Sequence, residues 1–353
     1  MKIDTYDFSY KELFDLAIEH PEMAQLELTR NCNQKCFFCF RACTPTERYK
    51  DLDLKTWEKI ITDLYALGVR QLYFSGGEIF LYKDVELLFE FSKNIGIKFN
   101  AVNTNGVIEL NKNKLSNVDE LIFSIHGINE EHNQTTGLAK SFDRVEKNLQ
   151  IAFDLVPKIG INTVVTERNI KNLDSIKNYF SKYPVAYHAF NLGVDQKALS
   201  TKPNSFDALI SSYLAFLQTI PLQKLKLRHG MQNIFRNDAC FFDAAIPLPH
   251  CAAGKYKLVV DYKADVYPCR YFQNNDFLCG NMLKTDIISI WKNGKGFKPF
   301  RSIAKNQSWP KNCSNCLKRF KCLGGCLAWR KLSNNNEYEK DYRCTIGNAH
   351  LGG

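Results

Sequence analysis

The sequence lacks an export signal, because its first residues show no basic start followed by an apolar core. It also lacks any run of about 18 uncharged apolar residues, so no transmembrane helix is expected. Internal repeats and low-complexity segments are missing as well. These absences predict a soluble, cytoplasmic protein. Its 353 residues, 45% of them hydrophobic, are enough for one large and one small domain.

Disulfides are also not expected, although the chain has 13 cysteines. A reducing cytosol keeps thiols free, so metal ligation is the better explanation for so many cysteines. Their grouping then decides which metal is bound.

Charge is concentrated near the C-terminus. The formal net charge is +10, and from Trp291 onward 13 Lys and Arg residues stand against three acidic residues. The whole imbalance therefore lies beside one group of cysteines. Such a surface is usually only a solvated face, and acidic partners come next. Nucleic acid is the weakest alternative, because no nucleic-acid motif accompanies the charge.

Residues 24–219 alternate β-rich runs with amphipathic stretches of helical length. This pattern is typical of βα units around a parallel sheet, in a barrel or a doubly wound fold. Six strands are predicted, at 25–28, 71–74, 98–102, 120–125, 161–165 and 186–191. Four crossover helices are predicted, at 54–67, 85–95, 142–156 and 173–180. Residues 220–250 contain three prolines and lose the periodicity, which indicates a connector between a domain at 1–219 and a cysteine-rich unit at 251–353.

Three thiols follow the first predicted strand within eight residues: Cys32, Cys36 and Cys39. Loops at the carboxyl ends of barrel strands carry the chemistry of barrel enzymes. Three close cysteines can each bind one iron of a cubane cluster and leave the fourth iron open to another ligand. Structural zinc normally takes four protein ligands, so a zinc knuckle would need a distant fourth residue.

This CxxxCxxC spacing resembles the defining motif of the radical S-adenosylmethionine (SAM) superfamily. The resemblance implies that the amino and carboxylate groups of SAM chelate the open iron, that the cluster donates an electron, and that the sulfonium breaks. Ser75-Gly76-Gly77-Glu78 follows the second strand and resembles the family's GGE motif, although Ile79 replaces a frequent proline. By this resemblance Gly76, Gly77 and Glu78 hold the methionine amino group. Alone, a double glycine would be an ordinary turn.

The family's fold, a partial (β/α)6 barrel, has further positions at its strand ends. CxxxCxxC, GGE, the Thr-Asn-Gly at 104–106 and a serine follow strands one to four in the family's order, which strengthens the resemblance. It implies cofactor contacts, toward the ribose or adenine of SAM, for five more residues: Phe38, Thr104, Ser124, Thr163 and Leu192. Packing or ordinary turn formation would also explain each of them taken alone.

A second set of cysteines occupies the C-terminal unit. Its spacing resembles the SPASM extension of radical SAM enzymes, which holds two auxiliary 4Fe-4S clusters; a zinc ribbon is the alternative. The resemblance assigns one cluster to Cys251, Cys269 and Cys326, and the other to Cys313, Cys316, Cys322 and Cys344. Cys240 is the first choice for the missing ligand and Cys279 the second; if neither binds, that iron is open to substrate. The implied cofactors are SAM and three 4Fe-4S clusters.

Three other positions modify this interpretation. Ala264 replaces a family glycine five residues before Cys269 and would strain a turn that needs positive φ. Arg270 replaces the acidic base that anaerobic sulfatase maturases carry directly after that cysteine, which argues against this subgroup. Cys43, four residues past the first motif, is interpreted mainly as a packed residue.

The resemblance implies an enzyme that oxidatively modifies or cross-links a ribosomally synthesised peptide. Alternatives are oxidation of a small molecule or cofactor precursor, and sulfatase-maturase-like protein modification. An electron-transfer module without catalysis and a nucleic-acid binder are weaker hypotheses. No catalytic base or hydrogen donor is identified.

The expected partners are a precursor peptide and an external electron donor such as flavodoxin or ferredoxin. We expect the basic C-terminal unit to attract an acidic leader segment of the peptide, because clustered charge of one sign attracts and steers the opposite charge. The cations proposed for this role are Lys318, Arg319, Lys321, Arg330 and Lys331.

Overall fold

The computed structural model describes residues 21–193 except 44 and 47, parts of 208–219, residues 251–305 and short pieces between 313 and 330. Strands β1 to β6 are Met23–Thr29, Gln71–Gly76, Phe99–Thr104, Glu120–Ser124, Lys158–Val165 and Tyr187–Leu192. Strands β7 to β9 are Lys257–Val260, Asp265–Tyr267 and Gly280–Asn281. Helices α1 to α6 are Leu54–Leu67, Val85–Asn94, Lys112–Leu115, Glu130–Thr136, Ser141–Phe153 and Leu173–Phe180, and α7 and α8 are Ile287–Asn293 and Lys298–Lys305.

All nine strands form one sheet. The first six are parallel and stand in sequence order from β1 to β6, which confirms the α/β class and the partial barrel. The sequence patterns do not predict the other three strands. Strand β7 pairs in parallel with β1, and β8 and β9 follow as antiparallel neighbours. The cysteine-rich unit therefore continues the sheet of the barrel.

Helix α1 shows how the sequence sets the crossover helices. Asp53 caps its start by accepting a hydrogen bond from the backbone N–H of Thr56 at 2.8 Å, and Gly68 ends it with a φ of 118°. Its buried residues, Trp57, Ile60, Ile61, Leu64 and Leu67, recur at helical spacing and face the sheet. None of the helices within the described ranges has the length and apolar content needed to cross a bilayer.

The two faces of the barrel sheet differ in chemistry. Leu26, Phe74, Val102 and Leu121 lie side by side in register on the face that meets the helices, and all four are 0% exposed. The ring of Phe74 lies 4.9 Å from that of Phe89 in α2. Because side chains alternate along each strand, the interior face holds the residues between these apolar ones. It carries polar side chains from all six barrel strands: Gln25, Glu27, Ser75, Asn103, Ser124, Asn162 and Asn191.

The turn between β7 and β8 contains the alanine that stands in a family glycine position. Ala264 adopts a φ of 65°, the left-handed conformation that favours glycine. The Asp261 side chain accepts hydrogen bonds from the backbone N–H groups of Lys263 and Asp265 at 2.9 and 3.0 Å. These bonds hold Ala264 in a backbone conformation that alanine disfavours. The turn thus has the positive φ that the sequence comparison with the family implies.

Candidate active site

The predicted cofactor residues converge at one edge of the sheet. The loop with the first three cysteines follows β1, the double glycine ends β2, Thr104 ends β3 and Ser124 ends β4. Since β1 to β4 are parallel, all four carboxyl ends lie at the same edge.

The cysteine loop is anchored at several points outside its thiols. Asn31 donates to the backbone oxygen of Tyr49 at 3.0 Å and accepts from the Tyr49 N–H at 2.9 Å. The Lys35 N–H donates to the carbonyl of Thr136, in the last turn of α4, at 2.9 Å. The loop is thus tied both to the segment that follows it and to the helix after β4.

The double glycine holds the start of this loop through backbone contacts. A Cβ on Gly76 would lie 2.2 Å from the Thr29 oxygen, and one on Gly77 would lie 2.1 Å from the Asn31 oxygen. The N–H groups of Gly77 and Glu78 donate to those same two oxygens at 2.8 Å. Any side chain at 76 or 77 would therefore push the cysteine loop away from β2.

The three loop thiols are close enough to influence one another's ionisation. Burial raises the pKa of Cys32 to about 11, and the nearby Cys39 adds to this shift. Burial also raises the pKa of Cys36, with contributions from both other thiols. In contrast, a hydrogen bond from Cys43 lowers the pKa of Cys39 to about 6, and backbone N–H groups assist.

These thiols fit an iron-sulfur cluster better than a single metal ion. Among the described residues, no three His, Cys, Asp or Glu side chains are arranged around one ion position. A cubane takes each thiolate on a different iron, so its ligands need not meet at one point. Cluster binding would also release the protons that burial retains on Cys32 and Cys36.

Glu78 is fully buried and bonded within the protein. One carboxylate oxygen accepts from the Thr104 hydroxyl at 2.7 Å and from the Phe80 N–H at 3.3 Å; the other accepts from the Asn105 N–H at 2.7 Å. Burial raises the pKa of this carboxyl to about 7. These contacts give Glu78 a role in fixing the turn after β3, while its contact with the methionine amino group stays a prediction.

The other residues predicted to contact SAM do not all face the interior of the barrel. Ser124 lies on the interior face, paired in register with Asn162. Phe38 packs against His126 with ring centroids 4.7 Å apart. Thr163 and Leu192 lie on the helix-facing side, where the Thr163 hydroxyl donates to the Ile125 oxygen at 2.6 Å. Their side chains are therefore directed away from the interior.

A buried carboxylate that the motifs do not reveal joins the barrel to the C-terminal unit. Glu27 on β1 accepts hydrogen bonds at one oxygen from Arg41, two residues past Cys39, and from Gln273 at 3.0 Å. Its side chain is 6% exposed, and that of Arg41 is 15% exposed. A charged residue on an otherwise buried strand was the only sequence signal for this site.

Three of the predicted auxiliary ligands lie around one small apolar cluster. Cys251, Cys269 and Cys326 pack against the group formed by Ala253, Phe272, Phe277, Phe300, Leu327 and Ala328. Cys279 packs against the main core instead, with its sulfur 2.8 Å from the Cβ position that Gly296 lacks. The Cys316 N–H donates to the Cys313 oxygen at 3.1 Å.

Several residues predicted to bind clusters or peptide are not described by the structure, and one that is described is buried. Cys240, Cys322 and Cys344 lie outside the described residues, as do four of the five proposed leader-binding cations: Lys318, Arg319, Lys321 and Lys331. The fifth, Arg330, is 2% exposed, so its charge is not on the surface and that part of the prediction is wrong.

With this geometry in place, the chain can be identified. The sequence matches the Radical SAM superfamily over residues 26–179 and the SPASM iron-sulfur cluster-binding domain over residues 251–317. The chain therefore carries a Radical SAM domain followed by a SPASM domain. It is an enzyme of this class, with SAM and iron-sulfur clusters as its cofactors.

Among individual proteins, the chain is similar to the mycofactocin maturase MftC of Mycobacterium tuberculosis, with 25% identity over 96% of this chain and 86% of the relative. It is also 23% identical to the AdoMet-dependent heme synthase of Methanosarcina barkeri, over 92% of this chain and 96% of that protein. Streptococcus suis SuiB, solved with its precursor peptide SuiA, shares the fold with a TM-score of 0.65 and 18% identity, covering 93% of this chain and 76% of that structure.

The buried Glu78 carboxyl predicts a pH dependence. Its pKa is higher in the folded chain than in the unfolded chain, so the folded state binds more protons between about pH 4.5 and 7. Stability should therefore fall as pH rises through this window, by up to about 1.4 kcal/mol per pH unit for one proton. Denaturant unfolding of the apoprotein, measured across this pH range, should show a smaller fall in the free energy of unfolding for Glu78→Gln than for the wild type.

Glu90 is exposed, so Glu90→Gln provides the control. This variant should keep the wild-type dependence of stability on pH. Equal pH dependence in Glu78→Gln and wild type would contradict the burial of an ionisable carboxyl at this position.

Proposed function

We propose that this chain matures a ribosomally synthesised peptide, cleaving SAM reductively and then oxidatively modifying or cross-linking side chains of the precursor. The observation that carries the proposal is the polar interior face beside the cysteine loop, flanked by the C-terminal unit through Glu27, Arg41 and Gln273. Similarity to a maturase over 96% of the chain supports a peptide substrate. The fold shared with SuiB is compatible with it.

The chain's own residues bind and orient the reactants. SAM bound beside the cluster would supply the radical chemistry through its one-electron reductive cleavage. We place Phe38 beside the adenine and Ser124 toward the ribose, because one lies next to His126 and the other faces the interior. Asn191 donates to the Asn162 side chain on the interior face, and we propose that a peptide backbone lies beside this amide pair.

Oxidation of a small molecule is the second candidate. The similarity to a heme synthase favours it, because that relative also matches nearly the whole chain. An interior face lined by carboxamides suits a peptide better than a large ring system, since a peptide backbone carries N–H and C=O groups that can bond to polar side chains.

We propose three 4Fe-4S clusters, one at Cys32, Cys36 and Cys39 and two in the C-terminal unit. The common apolar cluster around Cys251, Cys269 and Cys326 supports one auxiliary site. We keep Cys240 as its fourth ligand, ahead of Cys279; Cys326 packs against both the small apolar cluster and the main core, whereas Cys279 packs against the main core. Cys313, Cys316, Cys322 and Cys344 are assigned to the other site.

Iron analysis after anaerobic reconstitution tests this count. Three clusters should give about 12 iron atoms per chain, and Cys313→Ala with Cys316→Ala should reduce this to about 8 while some SAM cleavage persists. Stoichiometric zinc with negligible iron in the wild type would contradict the proposal.

Each SAM cleavage takes one electron from the cluster, and we propose that an external donor such as flavodoxin or ferredoxin supplies it. A peptide that loses two hydrogen atoms gives one to the adenosyl radical and releases the other as a proton and an electron, which we propose the auxiliary clusters accept. Coexpression with short neighbouring reading frames, followed by mass spectrometry, tests the maturase function. We expect one peptide to lose hydrogen atoms with the wild type and to stay unmodified with the triple Cys32, Cys36 and Cys39→Ala variant.

Cys43→Ser is the matched control, since a hydroxyl keeps the hydrogen-bond donor beside Cys39, and it should still modify the peptide. Cleavage of SAM with every peptide unmodified, together with turnover of a small molecule, would favour the second candidate.

Peptide recognition is proposed to use an acidic leader and the basic C-terminal residues. Reversing the charge of Lys318, Arg319 and Lys321 should raise the KM for the peptide without changing iron content. Added salt should weaken binding of the wild type, because the screening length is about 10 Å at 0.1 M and shortens further with salt. Peptide processing that is unaffected by both the charge reversal and the added salt would contradict the acidic-leader proposal.

A further inference from the structure

We propose that Asn105 is a positioning residue whose side-chain amide donates an N–H···S hydrogen bond to Cys32 and thereby raises the reduction potential of the cluster held there. This inference rests on the proposed cluster assignment. It deepens that assignment by naming a residue outside the cysteine motif that sets the electronic property needed for SAM cleavage.

The two protons of the Asn105 amide have two acceptors on the cysteine loop. Nδ2 lies 2.7 Å from Oδ1 of Asn33 and 3.9 Å from Sγ of Cys32. The second distance is at the long end for a bond to sulfur. Asn105 is 8% exposed, so little water competes for these protons.

The orientation of the amide follows from its other contacts. Its Oδ1 accepts from the backbone N–H of Val107 at 3.1 Å, which places the NH2 group toward the cysteine loop. A flipped amide would set its oxygen against Oδ1 of Asn33 and lose both interactions. The hydrogen-bond network therefore assigns the donor end to Cys32.

The backbone of Asn105 is held as firmly as its side chain. Its N–H donates to the buried carboxylate of Glu78 at 2.7 Å, and the same carboxylate accepts from Thr104. The Gly106 N–H donates to the Thr104 hydroxyl at 3.0 Å. Glu78 thus orders the turn that presents the amide to the sulfur, which links two of the predicted motifs to one function.

A hydrogen bond to a ligand sulfur stabilises the reduced cluster, because reduction adds negative charge that the N–H dipole offsets. Bonds to charged acceptors are also shorter and stronger than those to neutral ones, so this contact should tighten once the sulfur is a thiolate. Removing the donor should therefore make the cluster harder to reduce.

The experiment is a redox titration of the reconstituted full-length enzyme, following the electron paramagnetic resonance signal that changes when SAM is added. That signal identifies the cluster at Cys32, Cys36 and Cys39. Asn105→Ala should shift its midpoint potential downward, and Asn105→Asp should shift it further because a carboxylate would face the sulfur. A tenfold fall in the reduced-to-oxidised ratio at fixed potential corresponds to about 59 mV for one electron.

Asn103→Ala is the matched control, since it removes the same type of side chain two residues earlier, within β3, and its midpoint should equal that of the wild type. Unchanged midpoints in both Asn105 variants with full iron content would overturn the inference.

Should the variants lose iron, wild-type enzyme labelled with 15N in its asparagine side chains provides the second measurement. Hyperfine coupling of that nitrogen to the reduced, SAM-sensitive cluster is expected, and its absence would overturn the inference. A wild type without a SAM-sensitive signal would instead reject the cluster assignment itself.

Discussion

Backbone contact between the ends of β1 and β2 is the constraint on which the site depends. The oxygens of Thr29 and Asn31 accept hydrogen bonds from positions 77 and 78, at a separation that leaves no room for a side chain on Gly76 or Gly77. This contact fixes where the chain enters the cysteine loop. The next residue of the motif, Glu78, then turns inward and orders the end of β3. Three strand ends are thus coupled through short, buried hydrogen bonds.

This coupling gives the motifs a structural meaning beyond cofactor contact. The glycines are required because two backbones approach closely, and the glutamate is required because three buried donors need an acceptor. Asn105 belongs to the same network and contacts the cysteine loop at Cys32 and Asn33. The order of motifs along the chain therefore corresponds to a chain of contacts across the sheet.

The fold and the location of the site could be predicted from the sequence because both depend on local signals. Strand and helix periodicity predicted six strands and four crossover helices, and cysteine spacing identified the first loop. The orientation of Thr163 and Leu192 was less accessible, because one residue of register moves a side chain to the other face. The contact of Glu27 with Gln273 joins residues 246 positions apart. No local sequence pattern predicts such a pair, and none predicts that Arg330 is buried.

The pairing of β7 with β1 has a consequence for how the chain assembles. Strand β1 forms early in the sequence, yet one of its two edges finds its partner only in residues 257–260. During synthesis that edge stays open while more than half of the chain is made, and open strand edges invite pairing with other chains. Contacts between such distant segments also slow folding. The C-terminal unit therefore covers the last open edge of β1. A chain cut before β7 would leave β1 with an unpaired edge.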